Sequence, residues 1–199
     1  MIRTIEELYQ LYPEPKERAL KKQLSRLDRH CKRFIELSPF VVIATGNASG
    51  FDASPRGGEP GFVKVVNDLT LMIPDSPGNN RLDSLKNIVE SGRIGLLFLI
   101  PGVDETLRVN GAAHVSVDAE KLQLFASEKR APKVVIEVAV EEAYLHCAKA
   151  FMRSKLWADE SRRGRSILPT MGQMIQEQTS SSGSPESQEE MVARFAQDL

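Results

Sequence analysis

Between Ser38 and Val140 the chain is a succession of short apolar or alternating runs separated by clusters of Gly, Pro, Asn and Asp. The runs are Phe40–Thr45, Gly61–Val66, Thr70–Ile73, Arg93–Ile100, Glu105–Ser116 and Lys133–Val140. Segments of this length with turn residues between them read as strands. Only one stretch in the series, from about Asn80 to Glu90, reads as helix. Helices therefore do not alternate with strands, which argues against a doubly wound parallel sheet. Six or more strands at short spacing, broken by one internal helix, predict a mainly β chain and a small β-barrel with flanking helices, over a sandwich of evenly spaced hairpins. Gly95-Leu96-Leu97-Phe98-Leu99-Ile100 is apolar at every position, so that strand is expected to be buried on both faces.

Helical flanks bracket this zone and divide the chain into 1–37, 38–157 and 158–199. Thr4 is placed to cap a first helix from Ile5, with Glu7 as its capping-box partner. After Pro13-Glu14-Pro15 a longer helix is predicted from about Lys16, with Leu20, Leu24, Leu27, Cys31, Phe34 and Ile35 as its apolar stripe. The many Lys and Arg residues beside that stripe read as a solvated helix face rather than a nucleic-acid surface. Beyond the barrel, helices are expected over Glu142 to about Leu156 and Thr170–Gln178, and Glu189–Asp198 either forms an acidic amphipathic helix or frays. Thr179 to Pro185, rich in Ser and Gly, reads as a flexible linker.

Composition removes several function classes. Lys and Arg number 26 against 27 Asp and Glu, so no global field draws in nucleic acid or an anionic membrane. The longest apolar run falls far short of the roughly 20 residues that span a bilayer, and no signal peptide is visible, so a soluble cytoplasmic protein is expected. Two cysteines, Cys31 and Cys147, make neither a disulfide framework nor a four-thiolate zinc site. His30, His114 and His146 are too scattered for a metal triad, and no nucleotide-binding glycine motif occurs, so no metal is expected. No catalytic residue can be named. His146, Lys149 and Arg153, three and four residues apart on the predicted helix, either line a polar site or merely cover the barrel.

Two stretches carry candidate chemistry. In Ile73-Pro74-Asp75-Ser76-Pro77-Gly78-Asn79-Asn80-Arg81-Leu82-Asp83-Ser84 a strand ends, a turn follows and a helix starts. Amide groups at a helix start favour an anion, and Arg81 there opposes the helix dipole unless it faces one. Arg81 is thus either a phosphate or carboxylate ligand or a plain surface residue. In Asp52-Ala53-Ser54-Pro55-Arg56-Gly57-Gly58-Glu59-Pro60-Gly61-Phe62-Val63 the Gly and Pro residues predict an irregular connection. Arg56 offers it a planar fork for an oxyanion, and composition favours the plainer reading of a solvated arginine in a hairpin loop.

Together with Ser38-Pro39-Phe40, Gly95–Gly102, Glu105-Thr106-Leu107-Arg108-Val109-Asn110-Gly111 and His146-Cys147-Ala148-Lys149-Ala150, these words stand in unbroken order from about Thr4 to Trp157. In that order the chain resembles the pyridoxamine 5'-phosphate oxidase-like flavoproteins, the FMN-binding split barrels, and a bacterial subgroup of them with no assigned substrate. The resemblance implies a six-stranded split barrel, with helices packed outside it, that forms a homodimer with FMN at the subunit interfaces. It also implies a small-molecule substrate, with hydride passing between reduced nicotinamide and a small organic acceptor or oxygen. Residue by residue it implies Arg56, Asn79, Arg81 and Ser84 at the phosphate end. It implies Phe62, Val63, Pro74, Asp75 and Thr106 beside the ribityl chain or ring. Gly61 and Val66 stand where the pyridoxamine phosphate oxidases carry Arg and Lys, which speaks against vitamin B6 oxidation. The alternative from another class is a non-catalytic flavin- or haem-binding protein that stores or senses its ligand.

Overall fold

The computed structural model describes residues 1–75, 78 and 80–197. In chain order its elements are α1 (Ile5–Tyr9), α2 (Glu17–Lys21), α3 (Arg29–Leu37), β1 (Phe40–Asn47), β2 (Gly50–Gly57), β3 (Lys64–Asn67) and β4 (Thr70–Pro74). Next come α4 (Asp83–Ser91), β5 (Arg93–Leu99), β6 (Thr106–Ser116), α5 (Ala119–Gln123) and β7 (Val135–His146). Helices α6 (Lys149–Ser154), α7 (Met171–Thr179) and α8 (Gln188–Phe195) complete the chain. The strands form one antiparallel sheet in the order β2-β1-β5-β6-β7-β4-β3. The expected mainly β split barrel is therefore present, with seven strands in place of six.

The seventh strand is β2, where Pro and Gly content predicts an irregular loop. All eight of its residues pair with β1, from Gly57 opposite Phe40 to Gly50 opposite Asn47. Pro55 is tolerated because β2 is an edge strand with one free side, on which a missing N–H breaks no ladder. Strand β3, by contrast, is shorter than expected. Phe62 N–H donates to Glu59 O at 2.9 Å across Pro60-Gly61, and Gly61 has φ +81°. Pro followed by a positive-φ Gly is the signature of a type II turn, which occupies the first part of the predicted run.

The long helix predicted from Lys16 is broken. Leu24 leaves helical geometry to exchange backbone hydrogen bonds with Ala143, at 2.9 and 2.8 Å. Asp28 then starts α3 by accepting from His30 N and Cys31 N. The stripe divides with it: Leu20 is 57% exposed while Leu27 is 1% exposed and joins the core. The helix predicted from Glu142 is corrected as well, because β7 continues to His146 along β6. Its register shifts at Asn110/Gly111, and a Cβ on Gly111 would meet Ala139 O at 2.0 Å, so only glycine fits that bulge.

One core fills the inside of the barrel, with Val41, Ile43, Leu71, Ile73, Leu96, Phe98, Leu107, Val109 and Val138 from the strands, and Leu27, Ile35 and Ile88 outside them. Burial alternates along β5, so Ile94, Leu96 and Phe98 face the core while Leu97 and Leu99 point outward and are only partly covered. The expected burial of this strand on both faces is thus not met within one chain. The C-terminal segment does not hang from a free linker. Helices α7 and α8 are each started by a capping box, Thr170 with Gln173 and Ser187 with Glu190. Between them the chain folds back, with Gln176 donating to Gly183 O. Arg130 Nη2 donates to Gln197 O at 2.9 Å, tying the tail to the loop before β7.

Candidate functional site

Along β2 the side chains of Asp52, Ser54 and Arg56 share one face, since alternate residues of a strand point the same way. The β2–β1 pairing carries Asp52 to the start of α4. There the Ser84 hydroxyl, 2% exposed, donates to Asp52 Oδ2 at 2.5 Å, and Ser54 Oγ donates to the same oxygen at 2.9 Å. The backbone around Arg81 is held in an unusual form: Asn80 has φ +57° and Leu82 φ +60°, both left-handed. For a leucine this conformation is an outlier of the sort that concentrates at ligand sites. It explains why α4 begins at Asp83 and not at Asn80 as predicted, and no side chain caps the first turn. Arg81 projects beside this turn, its Nε donating to Asp83 Oδ2 at 2.7 Å. Asp83 first and Asp52 more weakly hold the Arg81 guanidinium in its charged form.

Arg56 stands at the other end of the ladder, four residues from Asp52 or about 13 Å along an extended strand. Its Nη1 donates to Pro55 O at 3.0 Å. Its charge reaches Asp75, just beyond β4, whose N–H donates to Val134 O at 3.1 Å. Burial pushes the Asp75 carboxyl up, and the cations of Arg56 and Lys133 pull it back. Arg81 and Ser84 thus come together, Arg56 and Asp75 come together, and β2 joins the two pairs. Pro74 is buried at the end of β4. Phe62 and Val63 lie in the core, and Thr106 is buried at the start of β6 opposite His146. Asn79 lies outside the described residues.

His146 does not share a helix with Lys149 and Arg153. It ends β7, exposed, its ring 5.9 Å from that of Tyr144, whereas the other two belong to α6. An open groove of about 720 Å³ lies elsewhere, between the end of β1 with its turn into β2, the start of β5 and the middle of β6 and β7, and none of the described candidates lines it. Arg93 pairs there with Glu141 at 2.8 Å, and Asn110 Nδ2 donates to Glu142 Oε2 at 2.9 Å. The corner between β2 and α4 pairs its donors internally as well, but there the candidates Arg81 and Ser84 stand beside a helix start that no side chain caps. Among the described residues no group of three or more His, Cys, Asp or Glu could hold a metal ion, and no helix is long and apolar enough to cross a membrane.

Asp52, Asp83 and Lys133 join the candidate site without being expected there from the sequence. The signal for Asp52 was the period-two spacing Asp52/Ser54/Arg56, which marks one face of a strand once the loop reading is given up.

Fold and candidate site together define a split β-barrel whose edge strand β2 meets the start of α4. The family model for pyridoxamine 5'-phosphate oxidase matches residues 27–147, and the chain belongs to that family. Two crystal structures of HupZ from Group A Streptococcus share the fold, each at 18% identity over 60% of this chain. They cover 98% and 93% of their own chains, with TM-scores of 0.51 and 0.50. The FAD binding protein from Mycobacterium smegmatis aligns at 13% identity over 62% of this chain and 97% of its own, with a TM-score of 0.44. No curated protein matches the sequence.

Proposed function

We propose that two copies of this chain bind FMN between them and act in the cytoplasm as an oxidoreductase, passing hydride from reduced nicotinamide to a small organic acceptor or oxygen. The observation that carries the reading is that Arg81 and the buried Ser84 hydroxyl both stand at the uncapped start of α4, within the segment matched by the family model. A guanidinium, a hydroxyl and first-turn amides are the donor set a phosphate monoester needs. They fit it on one condition: Ser84 and Arg81 must turn from Asp52 and Asp83 to the ligand.

In this reading Arg81 and Ser84 hold the phosphate, with Asn79 beside them. Arg56, expected at the phosphate end, stands about 13 Å along β2 from Asp52 and instead borders the ribityl chain with Pro74 and Asp75. Phe62, Val63 and Thr106 shape the wall from within the core. Bound flavin supplies the hydride chemistry, so the protein needs no nucleophile of its own. Its residues bind, orient and exclude water. Val66, in the place of a lysine, leaves a second substrate phosphate without a cation there, so pyridoxamine phosphate is not the substrate.

The test is an absorption spectrum of the purified protein, followed by titration of FMN and riboflavin into wild type and Arg81→Ala. The variant loses a charge-assisted hydrogen bond to the phosphate, so FMN should weaken about tenfold or more while riboflavin is unchanged. Equal FMN affinities would remove Arg81 from the site. A haem spectrum in place of a flavin one would favour the binding-protein alternative. So would bound flavin that reduced nicotinamide fails to bleach.

A further inference from the structure

We infer that Asp52 sets how strongly this site prefers a phosphorylated flavin over an unphosphorylated one, by standing as a built-in anion where the phosphate would take its hydrogen bonds. The inference rests on the flavin reading above.

Ser84 is cut off from bulk water, and its hydroxyl has one proton to give. That proton goes to Asp52 Oδ2, which also accepts from Ser54. Arg81, the cation of the corner, is engaged by Asp83 and feels the charge of Asp52 as well. The described side chains of the corner thus set one guanidinium against two carboxylates. An arriving phosphate must draw the Ser84 proton away from a carboxylate and then lie beside it. Two anions at that separation in a partly buried site repel strongly, and the repulsion falls on FMN alone because riboflavin carries no charge there.

Asp52 cannot swing clear without cost. It is fixed on β2 by pairing opposite Thr45, and Thr45 is itself tied to α4 by a buried hydrogen bond from Asn87 at 3.1 Å. The carboxylate therefore offsets part of what Arg81 and Ser84 contribute, and the chain holds FMN and riboflavin with more similar affinities than its donors alone would produce.

Asp52→Asn keeps an acceptor oxygen for Ser84 and removes the charge. FMN should then bind about tenfold more tightly, with riboflavin unchanged, so the ratio of the two affinities rises about tenfold. An FMN affinity that stays the same or falls while riboflavin holds would overturn the inference and leave flavin binding standing. Ser84→Ala supplies a second measurement. Its effect on FMN should be larger in the Asp52→Asn background, where the hydroxyl is free to turn, than in wild type, and equal effects would overturn the inference. Should Asp52→Asn fail to fold by circular dichroism, Asp52→Ser carries the same comparison. Wild type that binds neither flavin would overturn the flavin reading itself, and this inference with it.

Discussion

Cys31 shows how a side chain's surroundings set its chemistry. It packs in the core at the first turn of α3, next to the carboxylate of Asp28 that caps the helix. Burial foremost, and Asp28 after it, push the thiol from an ordinary 9.0 up to about 11. Below pH 9 the folded and unfolded chains both keep the proton, so this contribution to stability is whole. Between pH 9 and about 11 the unfolded chain releases its proton while the folded one does not. Stability then falls by as much as about 1.4 kcal/mol per pH unit. Denaturant melts at pH 8, 9 and 10 should show this alkaline loss in wild type and a shallower one in Cys31→Ala. Equal slopes would show that the thiol does not titrate differently on folding. Cys147, exposed beyond β7, should react freely with a thiol reagent under conditions that leave Cys31 intact.

Among the elements, the break between α2 and α3 separates two accounts of the N-terminal region. A continuous amphipathic helix would place Leu20 and Leu27 on the same buried stripe. The structure buries Leu27 alone, because Leu24 pairs with Ala143 and turns the chain. Leu27→Ala should therefore cost about 2–5 kcal/mol, the range for a truncated core leucine. Leu20→Ala should stay within about 0.5 kcal/mol, as for most surface changes. Equal losses in thermal or denaturant melts would restore the continuous helix. Strand β7 makes the same point in reverse. Glu141-Glu142-Ala143-Tyr144-Leu145 suits a helix by local propensity, yet pairing with β6 and packing of Ala143 hold it extended.

The molecule as a whole leaves an apolar surface uncovered. Val42 of β1 and Leu97 and Leu99 of β5 are neighbours on the outer face of the sheet and are only partly buried. A second copy seated there would explain why an all-apolar strand has one open side, and symmetric association is the commonest way to cover such a face. Light scattering should report a dimer for wild type and a monomer for Leu97→Glu, with the β-sheet spectrum retained. A dimeric variant would move the interface elsewhere. Ending the chain after Gln178 should leave flavin binding intact, because α8 packs on α7 and its Arg130–Gln197 hydrogen bond meets the loop before β7, not the corner between β2 and α4. Loss of flavin in the truncated protein would show that the tail completes the site.

What could be read from the residues alone was whatever neighbours in the chain decide together. The strand-rich middle, the helix after β4, the Thr4 cap and the family's ordered words are all local patterns, and the fold class and family followed from them, whereas the short helix α5 between β6 and β7 was not expected. Arg81 was legible for the same reason, as a cation at a helix start. The rest depended on partners far away in sequence. Gly50–Gly57 is a strand only because β1 accepts it, and β7 outlasts its helical composition only because β6 runs beside it. Asp52 meets Ser84 across 32 positions, a contact that no spacing rule contains. Cross-strand hydrogen bonds and core packing outweigh the fractions of a kcal/mol that local propensity offers per residue, so tertiary structure decided where those elements ended and which charges faced each other.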